Sequence, residues 1–324
     1  MRNQSRLAGT QYLFMMVVWV VMSLLLGLTG LINRFNYYSS STLAELGFLI
    51  PVVVLLIINR FEVMRGTRMK VIGIRTILWT ILFTVLILPV TYYLNLVSQL
   101  FVPNAVEESV SYFATNAGQN IWANPLWLNI LYIAILPPLV EEFIFRGVLF
   151  QGFRNCGLFK TAFFTALMFG LAHGNLNQFM YAFAIGLFLA YLVEASGSVY
   201  ASMLAHAIIN GTTVFLMYLE RHLPENVTSV IVEAENQTAR VQDLSLLFWI
   251  IGAAVAGACA VLAVIVLRTI AKASGREVVY QEARKGKDRI KGKEGRVFSV
   301  ELLVGLLIPI LFMSILMIIE MVKK

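Results

Sequence analysis

Charged residues are scarce in this sequence, and their scarcity sets its class. Of the 324 residues, only 13% are Asp, Glu, Lys or Arg, while 59% are hydrophobic and the mean hydropathy is +0.79. A soluble domain carries about 25% charged residues, so the composition excludes a soluble globular protein of this length. The sequence instead predicts an all-α fold, a polytopic transmembrane helical bundle.

Cysteine is also rare, and its two positions exclude a disulfide framework. Cys156 and Cys259 lie in or beside apolar segments, and neither has the spacing of a metal site. We expect two free thiols within the membrane. The net charge of +7 is concentrated in a few short stretches, which indicates membrane topology and no nucleic-acid partner.

Apolar runs divide the chain into eight to nine predicted spans. The fifth run is short for a crossing, whereas the first is long enough to be a retained span and not a signal peptide. We predict three regions: N-terminal spans (1–125), a central membrane core (126–219), and C-terminal spans with a basic loop (220–324). The runs lie at about 12–32, 43–58, 76–102, 126–153, 161–173, 179–195, 199–219, 244–267 and 297–322.

The basic stretches predict the orientation. The N-terminus and residues 60–75, 154–160 and 268–296 are rich in Lys and Arg and fall on one side if every run crosses. The positive-inside rule places that side, with the N-terminus, in the cytoplasm, and we expect a bacterial cell membrane whose anionic lipid contacts the basic loop. A ninth crossing would leave the two C-terminal lysines outside, so eight spans with one half-crossing segment is the alternative.

A cluster of charges interrupts the fourth run. Residues 136–147 read LPPLVEEFIFRG, which puts Glu141, Glu142 and Arg146 among apolar side chains. Each charge at the centre of a membrane helix costs about 2.5–3.5 kcal/mol on insertion scales, so this cluster should face a wet, protein-lined interior. Glu142 and Arg146 are spaced to pair along the helix, while Glu141 is rotated by about 100° and can point at a neighbouring helix.

Further polar groups lie in two other apolar runs. His173 ends the fifth run, and His206 and Asn210 share one face of the seventh. Counted from the basic side at 1.5 Å per residue, these groups and Glu141 lie about 12–20 Å deep. Taken singly, each could be a structural ion pair or a helix–helix hydrogen bond. Three helices that bring polar groups to one layer indicate a site.

Water activation is the chemistry that this set of residues suits. A carboxylate in a partly dry cavity can act as a general base for water, and His and Asn can stabilise a developing oxyanion. Because no Ser or Cys lies in an equivalent position beside a base, we expect a water nucleophile. Glu194, near a helix end, is expected to snorkel in a structural role, and His222 to be solvated.

Three spaced motifs resemble those of a known family. The motifs Glu141-Glu142-x-x-x-Arg146, Phe169-x-x-x-His173 and His206-x-x-x-Asn210 resemble those of the CAAX prenyl-protease and bacteriocin-processing (CPBP, Abi) intramembrane proteases, over residues 137–211. The resemblance implies an endopeptidase that acts on a peptide or protein substrate, lipidated or leader-type. It implies that Glu141 is the base together with His173, that His206 and Asn210 stabilise the oxyanion, and that Glu142 and Arg146 support them.

The resemblance leaves the metal open, because the family has often been described as metal-dependent. Glu141, His173 and His206 could hold Zn²⁺. The His-Glu-x-x-His arrangement is absent from the sequence, so we favour a metal-free mechanism without a cofactor. Glu142 is the alternative base if the helix is rotated.

Two other function classes remain open at this point. Buried Glu, His and Arg also build proton relays, and residues 174–178 (GNLNQ) could form the broken-helix binding segment of a proton-coupled transporter. A catalytically silent membrane scaffold or immunity protein would keep the same fold.

Overall fold

The chain folds into ten helices in the computed structural model, which describes residues 2–60, 66–101, 124–222, 244–286 and 296–323. No β-strand occurs in those ranges, so the all-α prediction is confirmed. The acidic connections near Glu107 and at 220–243 lie largely outside the described residues. The helices are α1 (Arg2–Leu28), α2 (Tyr37–Ile58), α3 (Ile74–Phe101), α4 (Leu126–Cys156), α5 (Leu158–Ala172), α6 (Leu176–Ser196), α7 (Val199–His222), α8 (Leu246–Ala273), α9 (Glu277–Arg284) and α10 (Val300–Lys323).

Eight of these helices are long and apolar enough to cross a membrane. Helix α5, with 15 residues, is shorter and would rise about 22 Å. The predicted polytopic bundle is therefore confirmed, with α5 as the short segment that the sequence singled out. The first helix differs most from its predicted bounds: it begins ten residues earlier, because Ser5 and Gln11 are buried in the bundle, and it ends before Gly30, whose φ is +68°.

The 174–178 stretch is an ordinary helix start. Gly174 has a φ of +61°, which turns the chain after α5, and the Asn175 side chain then accepts hydrogen bonds from the backbone N–H groups of Asn177 and Gln178. This is a standard N-cap, in which an Asx side chain satisfies free helical donors. The polar groups that the transporter hypothesis assigned to a broken helix are thus used to begin α6.

The basic loop contains a helix that the sequence analysis missed. Helix α9 lies within 268–296, and it buries Tyr280 and Ala283 on one side while Glu277 and Arg284 stay exposed. Only eight residues long, it lacks the sustained periodicity by which amphipathic helices are recognised in sequences. His222 is exposed at the end of α7, as predicted.

The basic stretches gather at one end of the bundle around Glu194. Arg154 contacts both carboxylate oxygens of Glu194, at 2.9 and 3.0 Å, Arg68 lies 2.9 Å away, and Arg276 lies 3.2 Å away. The Glu194 side chain is wholly buried, so the expectation of a snorkelling carboxylate is wrong. Its contacts are structural: they join the ends of α4 and α6 to the loop before α3 and to Arg276, the residue that precedes α9.

Helix α4, which carries the glutamate pair, packs against several other helices. Its first half packs against α2 and α7, and its second half packs against α1 and α5. Gly152 brings it close to α1, since a Cβ there would lie 2.7 Å from the Ala8 side chain. The motif-bearing helices α4, α5 and α7 are therefore neighbours.

Candidate active site

Helix α4 is irregular on both sides of the glutamate pair. Segments Ile130–Ile135 and Phe143–Leu149 are π-helical, and Leu136–Glu142 between them is α-helical. Pro137 and Pro138 have no N–H, so the Ile133 carbonyl cannot receive its usual hydrogen bond from within the helix. Short π segments of this kind are common at functional sites because they re-aim side chains.

Glu142 and Arg146 form the buried ion pair that their spacing predicts. Arg146 Nη1 lies 2.7 Å from Glu142 Oε1, with side-chain exposures of 1% and 0%. The Arg146 guanidinium also lies over the Phe169 ring, with Cζ 4.3 Å from the ring centroid, in a cation–π contact. The pair is therefore fixed in place by both charge and packing.

His206 lies between the two adjacent glutamates. Its Nδ1 is 3.0 Å from Glu142 Oε1, so Nδ1 carries a hydrogen and donates it to that carboxylate. Its Nε2 faces Glu141 Oε2 at 3.7 Å, beyond hydrogen-bond distance. One imidazole from α7 thus faces both carboxylates of α4, through a different nitrogen for each.

The two glutamates differ in their access to solvent. The Glu141 side chain is 14% exposed, whereas that of Glu142 is wholly buried. The rotation between neighbouring helical positions produces this difference. Glu141 is therefore the carboxylate that a water molecule or substrate can reach.

His173 completes the group through the Phe169 ring. Its Nδ1 lies 2.8 Å from the Phe169 carbonyl oxygen, which can only accept, so Nδ1 donates and Nε2 keeps a lone pair. The Phe169 ring meets the imidazoles of His173 and His206 edge-on, with centroids 4.8 and 5.7 Å apart. Within the described ranges, no hydrogen bond joins His173 to Glu141 or Glu142.

Asn210 contacts the irregular part of α4. Its Nδ2 donates to the Ile133 carbonyl at 3.1 Å, the same carbonyl that Pro137 and Pro138 leave unsatisfied. The amide group has a second N–H that this bond does not use. Asn210 thus ties α7 to α4 one turn from His206.

The sequence analysis missed Glu45, a residue of α2. Glu45 is buried and close enough to Glu141 for the two charges to interact. It is the only charged residue between positions 37 and 58, and that isolation was a usable signal. Phe169 is a second omission: it was noted as a motif position, and its contacts with Arg146, His173 and His206 place it at the centre of the site.

The arrangement of donors does not fit a metal ion. No group of three His, Cys, Asp or Glu side chains converges closely enough to hold one in the described parts of the chain. Both nitrogens of His206 face carboxylates, and His173 lies apart from them. We therefore derive no step through zinc.

Comparison with known proteins points to a membrane peptidase family. Residues 122–212 match the family described as "Type II CAAX prenyl endopeptidase Rce1-like". The Bacillus subtilis (strain 168) protein named "Putative membrane peptidase YdiL" is 25% identical over 237 residues, which cover 65% of this chain and 90% of that protein. No solved structure matches the chain significantly. The two matches confirm the resemblance to the CPBP family that the three motifs indicated.

Proposed function

From the similarity of its central segment to this family, we propose that the chain is an intramembrane endopeptidase. One observation carries the proposal most directly: His206 faces both Glu141 and Glu142, and only Glu141 is accessible. The matched residues, 122–212, include all three helices that supply these groups. The site therefore has a reachable base, a fixed imidazole and a buried ion pair that holds them.

In the mechanism we propose, Glu141 accepts a proton from the attacking water. The hydroxide adds to the peptide carbonyl, and the proton then passes to the leaving amine as the C–N bond breaks. The lone pair on His173 Nε2 can accept the second hydrogen of the water and orient it. Glu142 and Arg146 hold His206 and do not exchange protons with the substrate.

The oxyanion is stabilised from α7. When both nitrogens of the His206 imidazole carry a hydrogen, Nε2 can donate to the tetrahedral oxyanion while Nδ1 stays bonded to Glu142. Asn210 can donate its remaining N–H from one turn further along the helix. The bond from Asn210 to the Ile133 carbonyl fixes the amide for this role.

The substrate we propose is a peptide segment that reaches the site within the membrane. A lipidated C-terminus or an apolar leader peptide would suit the surroundings, because Ile135 and Leu139 expose apolar side chains on α4 near Glu141. Cleavage of the CAAX type is the specificity that the family description suggests. We propose a bacterial cell membrane, with the basic end of the bundle and the N-terminus in the cytoplasm.

Cleavage of a peptide panel tests the activity. Wild-type protein in liposomes is incubated with prenylated C-terminal peptides and unlipidated leader-type peptides, and mass spectrometry locates the cut. We expect cleavage at one bond, strongly reduced in His173→Ala and His206→Ala and unchanged in the matched control His222→Ala. Protein that cut no peptide, yet moved a solute in a pH-dependent way, would favour the transporter.

Metal dependence has its own test. Because no described donor set fits zinc, we propose that cleavage survives a chelator such as 1,10-phenanthroline. Loss of cleavage on chelation, with recovery on adding Zn²⁺, would overturn the metal-free mechanism.

A further inference from the structure

A buried carboxylate outside the three motifs faces the candidate site from α2. Glu45 is 8% exposed, and its Oε2 atom is buried without a hydrogen-bond partner. Within the part of the chain that the structure describes, no basic side chain pairs with it. Because an unpaired carboxylate among membrane helices is costly, its presence indicates a task.

The packing of α2 places Glu45 near the part of α4 that carries Glu141. Helix α2 contacts the Leu136–Glu142 segment of α4. About two turns before Glu45, the Tyr38 hydroxyl donates to Asn129 Oδ1 at 2.6 Å, which fixes α2 against α4. Glu45 then lies close enough to Glu141 for their like charges to repel each other.

The two carboxylates have different surroundings. His206 Nε2 faces Glu141 Oε2 at 3.7 Å, whereas Glu45 Oε2 is buried without a partner and no cation among the described residues pairs with Glu45. The negative charge of the pair is therefore better stabilised on Glu141. Helix α1, which also packs against α2, contains no Asp, Glu, Lys, Arg or His in residues 7–28. The titratable groups around the pair are Glu142 and Arg146 from α4, His173 from α5, Tyr181 from α6 and His206 from α7.

We propose that Glu45 is a positioning residue of this site: it shares one proton with Glu141, keeping the proton while Glu141 keeps the charge that makes it a base. Two carboxylates in one partly dry site resist double ionisation, so one of them stays protonated at neutral pH. At alkaline pH Glu45 loses its proton, and a second negative charge then opposes the developing oxyanion. The kinetic consequence rests on the proposed peptidase function, whereas the shared proton does not.

Infrared spectroscopy tests the shared proton without any substrate. Wild-type protein in liposomes at neutral pH should show the C=O stretching band of a protonated carboxyl group. The band should be absent in Glu45→Leu and Glu45→Gln and retained in Glu282→Gln, an exposed control on α9. A spectrum that is the same in wild type and in both Glu45 variants would overturn the proposal.

The pH profile of cleavage tests the consequence. In Glu45→Gln the alkaline limb of kcat should move up by at least about one pH unit, with KM changed less than about threefold, because the second ionisation is removed. Glu45→Leu should shift the same limb and should also raise the melting temperature, since an unpaired buried carboxylate is lost. A raised melting temperature with an unshifted pH profile of kcat would show that Glu45 only destabilises the fold, and would contradict the proposal. If wild type cleaves no peptide, the peptidase proposal fails while the infrared result still decides the shared proton.

Discussion

His206 Nδ1 lies 3.0 Å from Glu142 Oε1, the oxygen that also accepts from Arg146 at 2.7 Å. One carboxylate oxygen therefore fixes both a cation on its own helix and an imidazole on α7. Among the described residues, none makes such a bond to the neighbouring Glu141, whose side chain is 14% exposed. This contact gives the two adjacent glutamates different surroundings, in keeping with our proposal that Glu142 is structural and Glu141 reactive.

The division predicts opposite effects on stability. Glu142→Gln should lower the free energy of unfolding by about 3–5 kcal/mol, because the buried Arg146 loses its counter-charge. Glu141→Gln should leave that free energy unchanged or raised, because it removes a carboxylate that lacks a strong partner. Thermal unfolding in detergent, with Glu282→Gln as a neutral control, measures both. Equal losses in the two variants would contradict the division.

The contact between Asn210 and Ile133 predicts a specific rescue. Asn210→Ala should cost about 1–3 kcal/mol of stability, because the Ile133 carbonyl loses its hydrogen-bond partner. Pro137→Ala restores a backbone N–H at the usual helical position, so the double variant should recover most of that loss. A double-mutant cycle by thermal unfolding measures the recovery.

The same cycle separates the two roles of Asn210. If its amide also stabilises the oxyanion, the double variant should regain stability while kcat stays low. Full recovery of kcat together with stability would show that Asn210 acts only by holding α4.

The ion pairs between Glu194 and its three arginines predict a large effect on stability from a residue outside the candidate active site. Glu194→Gln should destabilise the protein by about 3–5 kcal/mol, because Arg68, Arg154 and Arg276 lose a shared, wholly buried counter-charge. The exposed pair between Arg6 and Glu301 is a matched comparison, and Arg6→Gln should cost far less stability than Glu194→Gln because solvent screens an exposed ion pair. Thermal unfolding measures the stability of both variants. Similar losses of stability in Glu194→Gln and Arg6→Gln would contradict the structural role of Glu194.

The membrane spans could be predicted from the sequence because the length and hydropathy of an apolar run are nearly enough to identify a spanning helix. Helix ends were missed where a single residue decides them: the Asn36 cap starts α2 at Tyr37, six residues before the predicted start, and Gly30 ends α1 early. These short-range hydrogen bonds and turns leave little trace in a hydropathy pattern. Helix α9 was not predicted for the same reason.

The sequence could predict that the motif residues lie close together, but not the geometry of their contacts. The spacing of Glu142 and Arg146 specified their ion pair, since both lie on one helix. The bond from Asn210 to Ile133 depends on the register between α7 and α4, which no spacing within either helix contains. Glu45 could have been found, because an isolated acid in an apolar run is itself an anomaly.

The amide variant of Glu141 tests its proposed role as the base. Glu141→Gln and Glu282→Gln are reconstituted in liposomes at equal amounts, and the initial rate of cleavage of a peptide that wild type cuts is measured. If Glu141 is the general base, Glu141→Gln should lower kcat by about 10²–10⁴-fold at an unchanged melting temperature, while Glu282→Gln should cleave at the wild-type rate. Cleavage by Glu141→Gln at the wild-type rate would contradict it.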